Sequence, residues 1–432
     1  MRLYSTHNPG RTVSFLEAVD RGIADDGGLF MPATIPVFPP GFFESVGSLS
    51  FQEISFVVAQ RLLEEEIPDD ALQGIVEDSL TFPVPLHSLD NRTFVLELFH
   101  GPTLAFKDFG ARFMARTLAY LHRHDRRETT ILVATSGDTG SAVAHGFHNV
   151  EGMTVVLLYP SGRVSAIQEL QLTTLEGNVT ALEIEGTFDD CQRLVKLAFA
   201  DRELSSRKKF TSANSINVGR LLPQAFYYFN AFARLPDRKL PLVFSVPSGN
   251  LGNLTAGLIA WKMGLPVERF IAATNVNDVL PRFLETGLYA PAQAVATISN
   301  AMDVGNPSNF SRILTLFDSS LTAIRGILSS ASFSDDETRR AIYEVFRRYG
   351  YVMDPHGAVA YAALDRFTRG APMQQAIILE TAHPAKFPDV YDATMKKHYE
   401  VPDRLQALIR GTKRSVRLSA RFEDLKAFLL SS

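Results

Sequence analysis

Residues 129–148 read Thr129-Thr-Ile-Leu-Val-Ala-Thr-Ser-Gly-Asp-Thr-Gly-Ser-Ala-Val-Ala-His-Gly-Phe-His148. A β-branched apolar run ends in a glycine-rich turn and passes into an alanine-rich segment, the pattern of strand, loop and helix in succession. Gly137 and Gly140 permit tight backbone geometry. Thr135, Ser136, Thr139, Ser141 and the free N–H groups of a helix start can hold a carboxylate or a phosphate. The same turn also serves as plain strand-to-helix punctuation, so the segment by itself leaves both uses open. The pattern recurs downstream: Leu242 to Val246 reads as a buried strand, Ser248-Gly-Asn-Leu-Gly-Asn253 as its loop and Leu254 to Met263 as the following helix. Further short apolar strands are expected at Val95–Phe99, Ile131–Thr135, Thr154–Tyr159, Val179–Ile184, Phe270–Thr274 and Ala376–Leu379, most of them separated by helical segments. That alternation predicts an α/β fold with mainly parallel sheets flanked by helices, and ligand loops at the strands' carboxyl ends.

Lys107 follows a His-Gly-Pro-Thr turn and lies between Phe106 and Phe109. Two phenylalanines can desolvate an amine, lower its pKa and leave it nucleophilic; a lysine snorkelling from an amphipathic helix is the competing reading. Two strand-to-helix anion loops and one such lysine meet the needs of a small phosphorylated aldehyde cofactor that must also hold an amino acid's carboxylate. Neither loop has the spacing of a Gly-x-x-x-x-Gly-Lys-Ser/Thr phosphate loop or of a Gly-x-Gly-x-x-Gly dinucleotide turn.

Seven motifs in order then resemble the threonine synthase family: His100-Gly-Pro-Thr-Leu-Ala-Phe-Lys107-Asp-Phe-Gly, Thr135 to Gly140, Asn214 to Asn217, Pro247 to Asn253, Ala273 to Asp278, Ser299 to Val304 and Thr381-Ala-His-Pro-Ala-Lys-Phe387. The resemblance spans nearly the whole chain and is greater to the longer bacterial and fungal branch. It implies pyridoxal 5'-phosphate chemistry on a tryptophan synthase β-like fold type II: two three-layer α/β domains plus an N-terminal cap. The expected division is a cap over 1–80, a domain over 81–235 with the carbonyl-condensing lysine and the substrate carboxylate loop, and a domain over 236–432 with the cofactor phosphate loop, strands interleaving between them. The implied reaction turns O-phospho-L-homoserine and water into L-threonine and phosphate.

Residue by residue, the resemblance makes Lys107 the catalytic, cofactor-bearing amine. It places the cofactor phosphate on Ser248, Gly249, Asn250, Leu251, Gly252 and Asn253, where Leu251 stands in for the family's more common phenylalanine. Thr381 falls at the pyridine nitrogen, and Asp138 near the cofactor's 3-hydroxyl, where many relatives of the fold carry asparagine. Thr135, Ser136, Gly137 and Thr139 are expected around the substrate carboxylate. Arg163, Ser165, Asn214, Ser215 and Asn217, with Arg220 behind them, are candidates for the substrate phosphate. His383 and Lys386 sit in a tight turn after an apolar strand; His383, like His356, reads more readily as a structural hydrogen-bonding residue than as a substrate contact. Two alternatives remain: another fold type II enzyme such as a threonine or serine dehydratase, and a non-catalytic relative that binds phosphorylated ligands.

Composition agrees with a large enzyme. The chain has 432 residues, 46% hydrophobic, enough to bury more than one core. A net charge of −4 offers no basic footprint for nucleic acid. A single cysteine, Cys191, excludes an intrachain disulfide, and no Cys/His cluster suggests a metal site. No apolar run approaches the ~18 residues of a membrane span, the N-terminus lacks a signal peptide's apolar core, and a cytoplasmic monomer or homodimer is expected. Arg-rich polar helix is expected from about Val401.

Overall fold

The computed structural model describes residues 1–64, 66–125, 128–135, 137–369 and 374–431. From the N-terminus, β1 (Arg2–Ser5), β2 (Asn8–Ser14) and β3 (Phe30–Pro32) form a small antiparallel sheet, followed by the helices Phe51–Leu63 and Asp69–Ser79. β4 (Leu86–Ser88) and β5 (Thr93–Glu97) precede the helix Lys107–His122. β6 (Thr129–Ala134), β7 (Met153–Pro160), β8 (Val179–Glu185) and β9 (Lys209–Thr211) come next. β10 (Leu242–Pro247), β11 (Arg269–Thr274), β12 (Leu328–Ser332) and β13 (Gln375–Glu380) follow, and β14 (Val416–Ser419) precedes the last helix, Phe422–Ser431.

These strands build two large sheets. One has the order β12-β11-β10-β13-β5-β4, parallel except for the β4–β5 pair; the other, β14-β8-β7-β6-β9, is parallel throughout. The chain crosses between them three times, after β5, after β9 and after β13. β4 and β5 join the sheet of the later strands, and β14 returns to the sheet of the earlier ones.

Pleating explains why the strands read as unbroken apolar runs. In β6 and β7, Ile131, Val133, Val155 and Leu157 enter the main core, while Leu132, Val156 and Leu158 enter a second core with Cys191 and Leu194. In the mixed sheet, Phe94, Phe244, Phe270 and Ile377 enter the main core, and Val95, Val243, Ile271 and Ile378 face the helix Pro355–Thr368. Both faces are covered by helices, so successive positions along these runs are apolar.

The expected strands are present, with Val95–Phe99 displaced two residues toward the N-terminus as Thr93–Glu97. The first 80 residues share the main core: Leu3, Phe15 and Val19 pack in one cluster with Phe113 and Leu118. The region after Val401 holds more than polar helix, because β14 adds a parallel strand beside β8 and Leu425 and Leu429 cover its core. No helix among the described residues is long and apolar enough to cross a membrane.

Arg312 ties three distant segments together. It is fully buried and donates to the Phe30 carbonyl at 3.0 and 3.1 Å, to the Ile216 carbonyl at 2.7 Å and to Asn309 Oδ1 at 2.6 Å. Burial pushes its guanidinium down to about 9. Arg312→Met keeps the volume but leaves those acceptors without donors. The expected loss is about 3 kcal/mol, measured by urea unfolding, since each unmet buried acceptor costs about 1–3 kcal/mol and relief of guanidinium desolvation offsets part of the sum.

Candidate active site

Four strand ends of the two sheets feed one region. After β5, the Leu98 N–H donates to the Glu380 carbonyl at the end of β13. The loop then runs beside the segment after β13: Ala105 bridges Ala382, the Phe106 N–H donates to the Thr381 carbonyl at 2.9 Å and the His383 N–H to the Leu104 carbonyl at 3.0 Å. Leu104 holds a left-handed backbone, φ 57°, with its side chain buried against Ala385 and Leu405. A non-glycine residue pays for that conformation, and packing on both sides enforces it.

Lys107 is the first residue of the helix Lys107–His122, where the unpaired N–H groups and the helix dipole disfavour a cation. Burial lowers its amine pKa further; Asp138 opposes this, while Lys386 and Arg220 add to it. The next residue, Asp108, is buried and accepts from the Thr103 N–H and hydroxyl at 2.9 and 2.8 Å. Burial raises its carboxyl to about 6 even against those bonds.

Asp138 opens the helix Asp138–Phe147, a favourable place for an anion. Its Oδ2 lies 3.9 Å from Lys107 Nζ and its Oδ1 2.7 Å from Lys386 Nζ, which also donates to the Thr103 carbonyl at 3.2 Å. Gln168 Nε2 adds a donor to Oδ1 at 3.2 Å. Burial raises the carboxyl, but Lys386 and then Lys107 outweigh it and hold Asp138 well below the usual carboxylate range. The Thr135 hydroxyl accepts from the Gly137 and Gly140 N–H groups and shapes this loop. Gly137 must lack a side chain, since a Cβ there would lie 2.7 Å from Gln168 Nε2. Thr139 is half-buried on the same helix, and Ser136 lies outside the described residues.

The loop after β10 is shaped for an anion. Among the described residues, the backbone N–H groups of Gly249, Asn250, Leu251, Gly252 and Asn253 donate to no protein acceptor. Leu251 is left-handed at φ 60°, turning the chain into the helix Gly252–Lys262. A Cβ at Gly249 would meet Met302 Cα at 2.8 Å and the Ala301 carbonyl oxygen at 2.9 Å. The side chains serve the loop itself: the Ser248 hydroxyl donates to the Val246 carbonyl, Asn253 Nδ2 to the Pro247 carbonyl and Asn250 Nδ2 to Ser215 Oγ, while Asn250 Oδ1 accepts from the Ser308 N–H. Behind it, the Ala301 N–H donates to His356 Nε2 at 3.2 Å, and His356 Nδ1 meets Asp354 at 2.5 Å. The Asp354 N–H in turn donates to Glu380, whose buried carboxyl is raised well above its usual range by burial first and by Asp354 second.

A buried amine, a loop of free N–H donors and a buried Arg220 whose Nε has no partner among the described residues suit a phosphorylated aldehyde. Thr381 follows β13, and its hydroxyl has no hydrogen-bond partner among the described residues. His383 Nδ1 accepts from the Ala385 N–H, and burial, then His100, lowers the imidazole to about 4.

The substrate-phosphate candidates divide. Asn214 and Ser215 are half-buried beside the second loop through the Asn250–Ser215 bond. Arg163 is exposed on the turn before the helix Ala166–Thr173, and the Ser165 hydroxyl caps that helix through the Gln168 N–H. Asn217 requires correction. It is fully buried, and its amide donates both to the Val19 carbonyl at 2.8 Å and to the Ser212 carbonyl at 3.3 Å, so it braces the helix Phe15–Arg21 and has no proton left for a substrate. Arg220 is likewise buried, donating to the Ala213 carbonyl. What the residue pattern did not reveal is the Lys386–Asp138 pair. Its only trace in the sequence is a lysine in a tight turn directly after a buried strand.

Sequence profiles of three kinds match the chain: "Pyridoxal-phosphate dependent enzyme" over residues 80–379, "Threonine synthase N terminus" over 2–80 and "Threonine synthase, C-terminal" over 357–429. A threonine synthase of Serratia marcescens is 44% identical over 100% of this chain and 99% of its own. The crystal structure of the Escherichia coli threonine synthase superposes with a TM-score of 0.91 at 42% identity, covering 100% of both chains. A pyridoxal-phosphate-bound threonine synthase from Brucella melitensis superposes with a TM-score of 0.93 at 35% identity, over 99% of this chain and 98% of that one.

Proposed function

This chain belongs to the threonine synthase family of pyridoxal-phosphate-dependent enzymes, and from that premise we propose that it converts O-phospho-L-homoserine and water to L-threonine and phosphate, with Lys107 bearing the cofactor. The observation that carries the reading is the buried Lys107 amine beside Asp138, placed where the strand ends of both sheets meet. When bound, the cofactor supplies an electron sink for the substrate's Cα.

The residues divide the remaining work. The N–H groups of Gly249 to Asn253 hold the cofactor phosphate, and Thr381 offers a hydroxyl to the pyridine nitrogen. That neutral partner does not enforce protonation of the ring as a carboxylate would. The N–H groups of Asp138 and Thr139, at the start of the helix Asp138–Phe147, hold the substrate carboxylate. Lys107 Nζ, free as an amine, would take the proton from Cα and then one from Cβ, whose electron pair expels phosphate from Cγ, and would return protons to Cγ and to Cα as water adds at Cβ. Arg163, Asn214 and Ser215 receive the substrate phosphate; the Ser215 hydroxyl accepts from Asn250 and keeps its own proton to donate.

The direct test is to incubate the cofactor-loaded enzyme with O-phospho-L-homoserine. Equimolar threonine and inorganic phosphate are expected; a 2-oxo acid and ammonia in their place would reverse the assignment in favour of a dehydratase. In the same assay, Arg163→Ala should raise KM about 10- to 100-fold, the worth of one charge-assisted hydrogen bond, and leave cofactor affinity nearly unchanged. Equal loss of both affinities would remove Arg163 from the substrate site.

A further inference from the structure

We propose that Lys386 is a positioning residue for this reaction: it engages the Asp138 carboxylate and so keeps Lys107 an uncharged amine, free to join the cofactor and to carry protons. The inference rests on the reading that Lys107 bears the cofactor. Two lysines share one carboxylate, and they share it unequally. Lys386 Nζ lies 2.7 Å from Asp138 Oδ1, within charge-assisted hydrogen-bond distance, while Lys107 Nζ is 3.9 Å from Oδ2. The Lys386 and Asp138 side chains are 2% and 4% exposed, so their attraction is poorly screened.

Asp138 can balance only one ammonium. A second beside it, with buried Arg220 close by, would leave an excess of positive charge in a region with little water. The charged groups facing Lys107 come from three other elements: Asp138 from its helix, Lys386 from the turn Pro384–Lys386 and Arg220 from the helix Val218–Leu221; Asp108, on its own helix, is taken up by Thr103. Lys386 is anchored against moving to Lys107's task, since its ammonium is also bound to the Thr103 carbonyl in the loop that leads to Lys107. The result is a division of labour between two lysines, one bound to a carboxylate at 2.7 Å and one left free.

The test uses the full-length chain freed of cofactor. Pyridoxal phosphate is added across a range of pH, and covalent capture, in which the amine adds to the aldehyde and one water leaves, is followed by the visible band of the lysine-bound cofactor. In the unmodified chain the midpoint of capture should lie well below the ~10.4 of an ordinary lysine. Lys386→Gln and Lys386→Met should move that midpoint up by about 1 to 3 pH units, because Asp138 is then left to Lys107. Lys386→Arg should restore it.

A purely structural role would lower the extent of capture and the unfolding temperature without moving the midpoint. A midpoint unchanged in Lys386→Gln, or one near that of an ordinary lysine in the unmodified chain, overturns the proposal, and the second measurement needs no variant to fold. A cofactor found on another lysine would instead overturn the assignment of Lys107, so the two failures are distinct.

Discussion

Lys107→Ala is expected to lower turnover by at least about 100- to 10 000-fold, the usual worth of a positioned proton carrier, and to abolish the visible absorption of the lysine-bound cofactor. The nucleophile and the proton carrier are one group, so both losses come from one substitution. The fold should survive. Alanine is well suited to a first helical position, the lost amine sits where burial disfavours its charged form, and Asp138 keeps Lys386 as its partner. Thermal unfolding should therefore stay near that of the unmodified enzyme while threonine production disappears. Near-normal turnover in a folded variant would contradict the role given to Lys107.

Gly249→Ala is expected to weaken cofactor binding about 10- to 100-fold. Its Cβ would press on Met302 Cα and on the Ala301 carbonyl oxygen, and both are backbone atoms that cannot swing aside. The segment behind them is held by the Ala301–His356 bond, by Asp354 and by Glu380, so the phosphate loop has to yield. Overpacking of this kind costs about 1–3 kcal/mol, and about 1.4 kcal/mol is a tenfold change in affinity. Pyridoxal, which lacks the phosphate, supplies the control: its affinity should fall much less. A folded Gly249→Ala protein with unaltered affinity for pyridoxal phosphate would show that the loop is not the phosphate cradle.

How far the sequence could be read differs by kind of feature. Strands buried on both faces announce themselves as apolar runs, and the glycine-rich loops after β6 and β10 mark where ligand loops begin; β6, β7, β8, β10, β11 and β13 were legible for that reason. Short or edge strands carry no such run. β9 is Lys-Phe-Thr and β14 is Val-Arg-Leu-Ser, and each is a strand only because a longer parallel neighbour offers its edge. Backbone conformation was hidden in the same way, since nothing in the residue types of Leu104 and Leu251 signals a left-handed backbone that tertiary packing imposes.

Side-chain partnerships across long separations were the least visible. Asp138 and Lys386 stand 248 positions apart and meet only because β6 and β13 end in the same region. Asn217 shows the converse. Its motif suggested a ligand contact, yet a buried amide beside the Val19 carbonyl has to satisfy the backbone first.

The most direct test of the account asks which lysine carries the cofactor. Reducing the loaded enzyme with borohydride fixes the linkage, and mass spectrometry of the digested protein then locates the added phosphopyridoxyl group. That group is expected on the peptide containing Lys107 and on no other; finding it on the peptide containing Lys386 would contradict the assignment of both lysines.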